Sequence, residues 1–176
     1  MKREIQKQTG FTLIEILIVI ILLGIMATII VPQVSVSSED AKRNALKTNL
    51  SRMRDAIRLY YHQHGNTYPG THDNKGNPAS NEAKAEEGFL EQLTRYTDVN
   101  GFVYPLRVGM FGEIYEFGPY LKSSDLPLNP FNNNNDILCD ITTTDITAKA
   151  SDGSSGWKFY TKTGLLMAND GSHDNL

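Results

Sequence analysis

Cysteine is almost absent. Cys139 stands alone among 176 residues, so no disulfide can close within the chain and no CxxC redox pair or cysteine zinc site can form. The histidines, His62, His64, His72 and His173, fall into no zinc-helix pattern, and the chain has neither a nucleophile elbow nor a phosphate-binding glycine loop. These absences remove the usual signatures of a hydrolase, a metalloenzyme or a nucleotide-binding enzyme, and the chain reads as non-catalytic. Proline and glycine are missing from Glu39 to His64, so nothing there interrupts a helix. Charge is missing from Phe11 to Val31, with the exception of Glu15.

The uncharged run has the length of a membrane span. Twenty-one residues at about 1.5 Å per residue reach about 30 Å, the thickness of a hydrocarbon core. A carboxylate inside such a run is costly and is kept where it has a partner. The preceding residues, Met1 to Gly10, carry Lys2, Arg3 and Lys7 against Glu4; by the positive-inside rule they stay in the cytoplasm and the rest of the chain lies across the membrane. An ordinary secretory signal cleaved after Ser35-Val36-Ser37 is the competing reading. Glu15 in the apolar core argues against it, as does the helical pattern that continues beyond the run.

That continuation is amphipathic. Leu46, Leu50, Met53, Ile57 and Tyr60 recur at spacings of four and three, the stripe by which a helix packs on a core. Pro32 lacks an amide donor and crowds the turn before it, which predicts a bend or local melting around Thr28 to Pro32, with Gly24 adding flexibility. Gly65 suits the left-handed residue that closes a helix, and Pro69 prevents its resumption. His62 and His64 are two apart and share no helix face, so they do not make a metal site by themselves. The expected organisation is a leader over 1–10, a transmembrane helix over 11–32, its amphipathic continuation over 33–64 and a head over 65–176.

Charge is divided unevenly. Residues 39–64 carry 6 basic and 3 acidic side chains, a net of +3, whereas residues 65–176 carry 8 and 15, a net of −7. A basic helix beneath an acidic head lets the head of one copy attract the helix of another. Nucleic acid is a poor partner for so small a basic excess with no aromatic interleaving.

In the head, residues 70–81 read as a loop and Glu82 to Tyr96 as a short helix with Phe89, Leu90, Leu93 and Tyr96 at helical spacing. Strand-like phrases follow at Phe102 to Val108, Glu113 to Phe117 and Ile137 to Ile141, and a hairpin is expected from Trp157 to Tyr160 and Leu165 to Ala168 through Gly164. Leu126, Leu128 and Phe131 are placed to anchor a proline-stiffened loop on the core, and Asn132 to Asn135 read as an exposed tip. The fold class is α+β, a long N-terminal helix on a small antiparallel β-sheet head. Asn169 to Asn175 set oxygen donors at alternate positions, which makes Asp170, Ser172 and Asp174 candidate calcium ligands.

The leader ending in Gly10, then Phe11, Thr12-Leu13-Ile14-Glu15, the aliphatic run, Gly24 and Pro32 strongly resemble the type IV pilin and type II secretion pseudopilin superfamily. Tyr60 to Pro69, with its Gly65 and Tyr68-Pro69, resembles the helix terminus of pseudopilins, and Gly118-Pro119-Tyr120-Leu121 with Leu126 to Phe131 resembles an irregular loop of the major pseudopilin. The resemblance implies a pilin-like fold, cleavage between Gly10 and Phe11 by a prepilin peptidase, and N-methylation of Phe11. It further implies pairing of Glu15 with the Phe11 amine of a neighbouring copy, anchorage in the inner membrane, and polymerisation with other copies and minor subunits on a membrane assembly platform. An acidic, glycine-rich, calcium-binding C-terminal loop belongs to the same resemblance. Lacking a second cysteine, the chain departs from the many type IV pilins that close a C-terminal loop with a disulfide. A pseudopilus subunit in protein export is thus the expected function, with a type IV pilin for adhesion, motility or DNA uptake as the alternative.

Overall fold

The structure is a computed structural model and describes residues 10–145, 147 and 150–176, with the side chains of 28–37 left aside. The expected leader, apart from Gly10, lies outside the described residues. Helix α1 spans Leu13–Gln63 and α2 spans Glu82–Thr94. Strands β1 (Tyr96–Thr97), β2 (Val103–Tyr104), β3 (Ile137–Asp140), β4 (Trp157–Tyr160) and β5 (Leu165–Ala168) follow. The helical backbone of α1 runs on through 28–32, so no melted turn forms at Pro32. The chain divides into two compact units, one ending at Ala41 and the other covering Lys42–Leu176.

The second unit is built around the last turns of α1. Leu46, Leu50, Met53, Ile57 and Tyr60 are all buried, as the periodicity predicts. They pack in one cluster with Phe89 and Leu93 of α2, Leu126, and Trp157, Phe159 and Leu166 of the sheet. Each such side chain contributes about 1.5–3 kcal/mol by leaving water. The helix closes where expected: Gly65 has φ +61 and Asn66 φ 63, and the Asn66 amide donates to the Tyr61 carbonyl at 3.0 Å.

Asn81 caps α2, its side-chain oxygen accepting from the Lys84 amide at 2.9 Å. The helix stops at Thr94 rather than reaching Tyr96, which instead pairs with Tyr104 in β1 and β2. The expected strands at 102–108 and 113–117 shrink to β2 and to isolated bridges, Val108 with Ile114 and Thr97 with Phe117. Gln92 of α2 is buried and saturated, accepting from the Gly70 amide and donating to the carbonyls of His72, Asp73 and Gly101. It ties the 70–73 loop to the helix.

The main sheet has the order β3-β4-β5. The hairpin of β4 and β5 is antiparallel as expected, with Phe159 opposite Leu166, but β3 lies parallel to β4, so the sheet is mixed. The 16 residues between β3 and β4 are long enough for the crossover that a parallel pair needs. Each edge strand has an outward group held by a helix side chain: the Cys139 amide of β3 donates to Glu86 Oε1 at 3.3 Å, and the Leu166 carbonyl of β5 accepts from Arg54 Nη2 at 2.9 Å. Leu126 is buried and Phe131 packs against the core, while the Leu128 side chain stands 55 % exposed and only its carbonyl is held, accepting from Asn49 Nδ2 at 3.2 Å. The loop's firm fastening is Trp157, whose indole N–H donates to the Pro127 carbonyl at 2.8 Å.

Candidate functional site

At the start of α1, the Glu15 carboxylate reaches back one turn. Its Oε2 accepts from the Thr12 amide at 3.1 Å and the Thr12 hydroxyl at 3.0 Å, and the Thr12 hydroxyl receives the Glu15 amide at 3.3 Å. This is a capping box, in which a threonine and a glutamate three residues on satisfy each other's free helix-terminal amides. The Thr-x-x-Glu spacing is present in the sequence and carries this role, which attention to the acid alone overlooks.

Among the described residues nothing asks for glycine at position 10. A Cβ added there meets no atom within 4 Å, and the residue does not use the left-handed backbone region. The same is true of Gly24 in the helix interior, where glycine costs about 1 kcal/mol relative to alanine.

The helix behind this cap is bare. Phe11, Leu13 and Ile14, and the apolar side chains from Ile16 to Met26, are all exposed, from 44 % at Leu17 to 86 % at Leu13. An apolar helix that none of the described residues covers offers a surface for other molecules to bury. Among the described residues no helix is long and apolar enough to cross a membrane, the described side chains of the run stopping at Ala27.

The C-terminal loop is organised around Asp170. Its Oδ1 accepts from the Ser172 and His173 amides and from His173 Nδ1, each at 3.0 Å, and its Oδ2 accepts from Asn129 Nδ2 at 3.0 Å. Burial alone would raise its pKa, but the bonds from Asn129 and His173 outweigh that and hold the carboxyl below the usual carboxylate range. Ser172 is exposed and Asp174 half-buried. The structure thus keeps the three candidate calcium ligands on one loop while spending Asp170 on protein donors. A carboxylate accepts about four hydrogen bonds at most, so an ion would have to displace some of these. Among the described residues no three His, Cys, Asp or Glu side chains are gathered as a metal site.

Asn129 and the asparagines after it are the residues whose role the sequence hides. Asn129 is fully buried and donates to the Gly156 carbonyl at 3.0 Å as well as to Asp170. Asn132 donates to the Ser155 carbonyl at 2.8 Å, and the Asn134 side chain accepts from the Asp136 amide at 2.7 Å. The expected tip is a seam that joins the proline loop to the sheet. Asn169, also buried, closes the other side through Asp152 and Ser155.

A long helix that is apolar and exposed at its start, with a small α+β unit packed on its last turns, makes a pilin-like fold. The family described as the prokaryotic N-terminal methylation motif matches residues 5–31. The chain is 26 % identical over 156 residues to the type II secretion system core protein G of Vibrio cholerae serotype O1, covering 88 % of each. It is 28 % identical over 116 residues to the protein of the same name from Escherichia coli K12, covering 64 % of this chain and 73 % of that one. With the Klebsiella pneumoniae protein of that name it shares 38 % over 55 residues, which is 31 % of this chain and 39 % of the relative. No solved structure matches significantly. The similarity to these proteins thus runs along most of the chain, and the methylation motif covers its first turns.

Proposed function

We propose that the chain is a structural subunit of a type II secretion pseudopilus, held in the inner membrane by α1 and polymerised through it to support protein export. The carrying observation is the bare apolar helix behind the Thr12–Glu15 cap, on a chain similar to core protein G along most of its length. Those relatives favour the pseudopilus over a type IV pilus for adhesion, motility or DNA uptake. The role is structural rather than catalytic. A prepilin peptidase cuts between Gly10 and Phe11 and the new Phe11 amine is methylated. Glu15 then pairs with the Phe11 amine of a neighbouring copy, since two charges that are each costly in lipid become tolerable as a hydrogen-bonded pair.

The cap makes this role testable against a merely local one. Thr12→Ala removes the box while keeping the acid, and should cost the helix start about 0.5–2 kcal/mol but leave fibres abundant. Glu15→Val should leave the chain inserted, with Phe11 as its first residue by mass spectrometry, yet abolish or strongly reduce fibres seen by electron microscopy. Abundant fibres from Glu15→Val, or equal loss from both variants, would sink the pairing role.

Calcium at Asp170, Ser172 and Asp174 is a separate proposal. What supports it is the alternation of oxygen donors in a loop; it requires Asp170 to exchange its bonds from Ser172 and His173 for the ion.

A further inference from the structure

The C-terminal loop holds hard oxygen donors and keeps one of them covered. Ser172 is exposed and Asp174 half-buried, whereas the Asp170 side chain is only 2 % exposed. A calcium ion takes six to eight oxygens at about 2.3–2.6 Å, and Asp170 cannot join such a shell while it is closed off. Its cover has two parts. Asn129 is fully buried, donating to Asp170 Oδ2 and accepting the Phe131 amide, each at 3.0 Å. It belongs to the seam beneath the loop and cannot move without breaking it.

His173, the other part, lies on the loop itself. Its side chain is 12 % exposed and its Nδ1 donates to Asp170 Oδ1 at 3.0 Å. The ring also stacks on Phe131, with centroids 3.8 Å apart and planes inclined by 21°. Phe131 is a firm seat for it: it packs against the core, Asn129 fixes its amide, and Lys42 Nζ of α1 lies 6.0 Å from its ring centroid. The imidazole thus occupies a carboxylate oxygen that an ion would need. This closure accounts for why Asp170, His173 and Asp174 are not gathered as a metal site among the described residues.

We propose that His173 is the gate of the calcium loop: its ring holds Asp170 shut against Phe131, and the loop takes the ion only once that ring has swung away. The inference rests on the calcium reading above and adds what regulates it. A site that is open for only a fraction of the time has its dissociation constant raised by the inverse of that fraction. Residue 173 therefore sets the calcium affinity without being a ligand.

Calorimetric titration of the full-length chain with calcium in detergent tests it, with fluorescence of Trp157, the single tryptophan, checking that each variant keeps its fold. His173→Ala is expected to bind calcium about tenfold more tightly, the factor that one hydrogen bond to a charged group is worth at the low end. Phe131→Leu, which removes the stacking and keeps the Nδ1 bond, should strengthen binding by a smaller factor. Adding Asp174→Ala to His173→Ala should cancel the gain; a gain that survives places the ion elsewhere and overturns the gate. In the unsubstituted chain the His173 ring protons, shifted in NMR spectra by the Phe131 ring, should move to unstacked positions as calcium is added. Unchanged or weaker affinity in a folded His173→Ala overturns the gate, as does bound calcium with the His173 signals unmoved. If His173→Ala loses its fold, the ring signals of the unsubstituted chain decide alone. Absence of calcium binding from both the unsubstituted chain and His173→Ala would overturn the calcium reading itself, and the gate with it.

Discussion

His64 shows how a single side chain can be structural while looking chemical. Its ring is buried and stacks on Tyr60 with centroids 3.7 Å apart. A carbonyl can only accept, so Nδ1 donates to the Tyr60 carbonyl at 2.8 Å and Nε2 is left to accept from the Thr97 hydroxyl at 3.0 Å. Burial pulls its pKa below the ordinary histidine value, against the Tyr60 carbonyl and the nearby Asp98 carboxylate, which work to raise it. As the pH falls, the unfolded chain therefore takes up the proton first. The stability this residue contributes is present above about pH 6.5 and lost as the pH drops through that value toward the lower folded one. Urea unfolding in detergent between about pH 7.5 and about pH 5.5 should show that loss, and His64→Gln should flatten it. An identical slope in both proteins would assign the pH dependence elsewhere.

Among the elements, α1 was legible and the asparagine seam was not. A stripe at spacings of four and three survives any tertiary context because one buried face is all that it asks for, and Leu46 to Tyr60 are buried accordingly. The direction of β3 beside β4 is set by the path of the chain between them, on which local residue preferences have no hold. Leu128 was expected in the core because it is apolar, yet Trp157 holds that loop through a backbone carbonyl instead. Asn129 and Asn132 read as a polar tip because the same residue type that favours exposed turns also satisfies buried backbone groups. The Thr12 partner of Glu15 is legible in the Thr-x-x-Glu spacing, which marks a capping box. Replacing Asn129 by alanine strands one Asp170 oxygen and the Phe131 amide and leaves the Gly156 carbonyl with the Asn169 amide as its donor, and should cost about 2–4 kcal/mol by urea unfolding. Leu128→Ala, one residue away and exposed, should stay within about 0.5 kcal/mol.

For the whole molecule, the two compact units differ in kind, one with its apolar side chains from Phe11 to Met26 exposed and the other with a core of its own. Calcium binding by the loop at Asp170 would appear as a property of the whole chain. Thermal melting in detergent should rise with calcium over magnesium and over chelator, by about 2.7 kcal/mol at a hundredfold excess over Kd, and Asp174→Ala should remove the gain. Equal melting in all conditions would leave the loop as a purely hydrogen-bonded fastening. The sheet has a quieter consequence. With Glu86 holding an outward amide of β3 and Arg54 an outward carbonyl of β5, both margins of a three-stranded sheet are blunted against recruiting a strand from a neighbour. Copies crowded side by side at high local concentration are thereby steered away from cross-β stacking, which is close to irreversible. A head whose sheet margins are already taken stays a separate folded unit even where many copies are held close together.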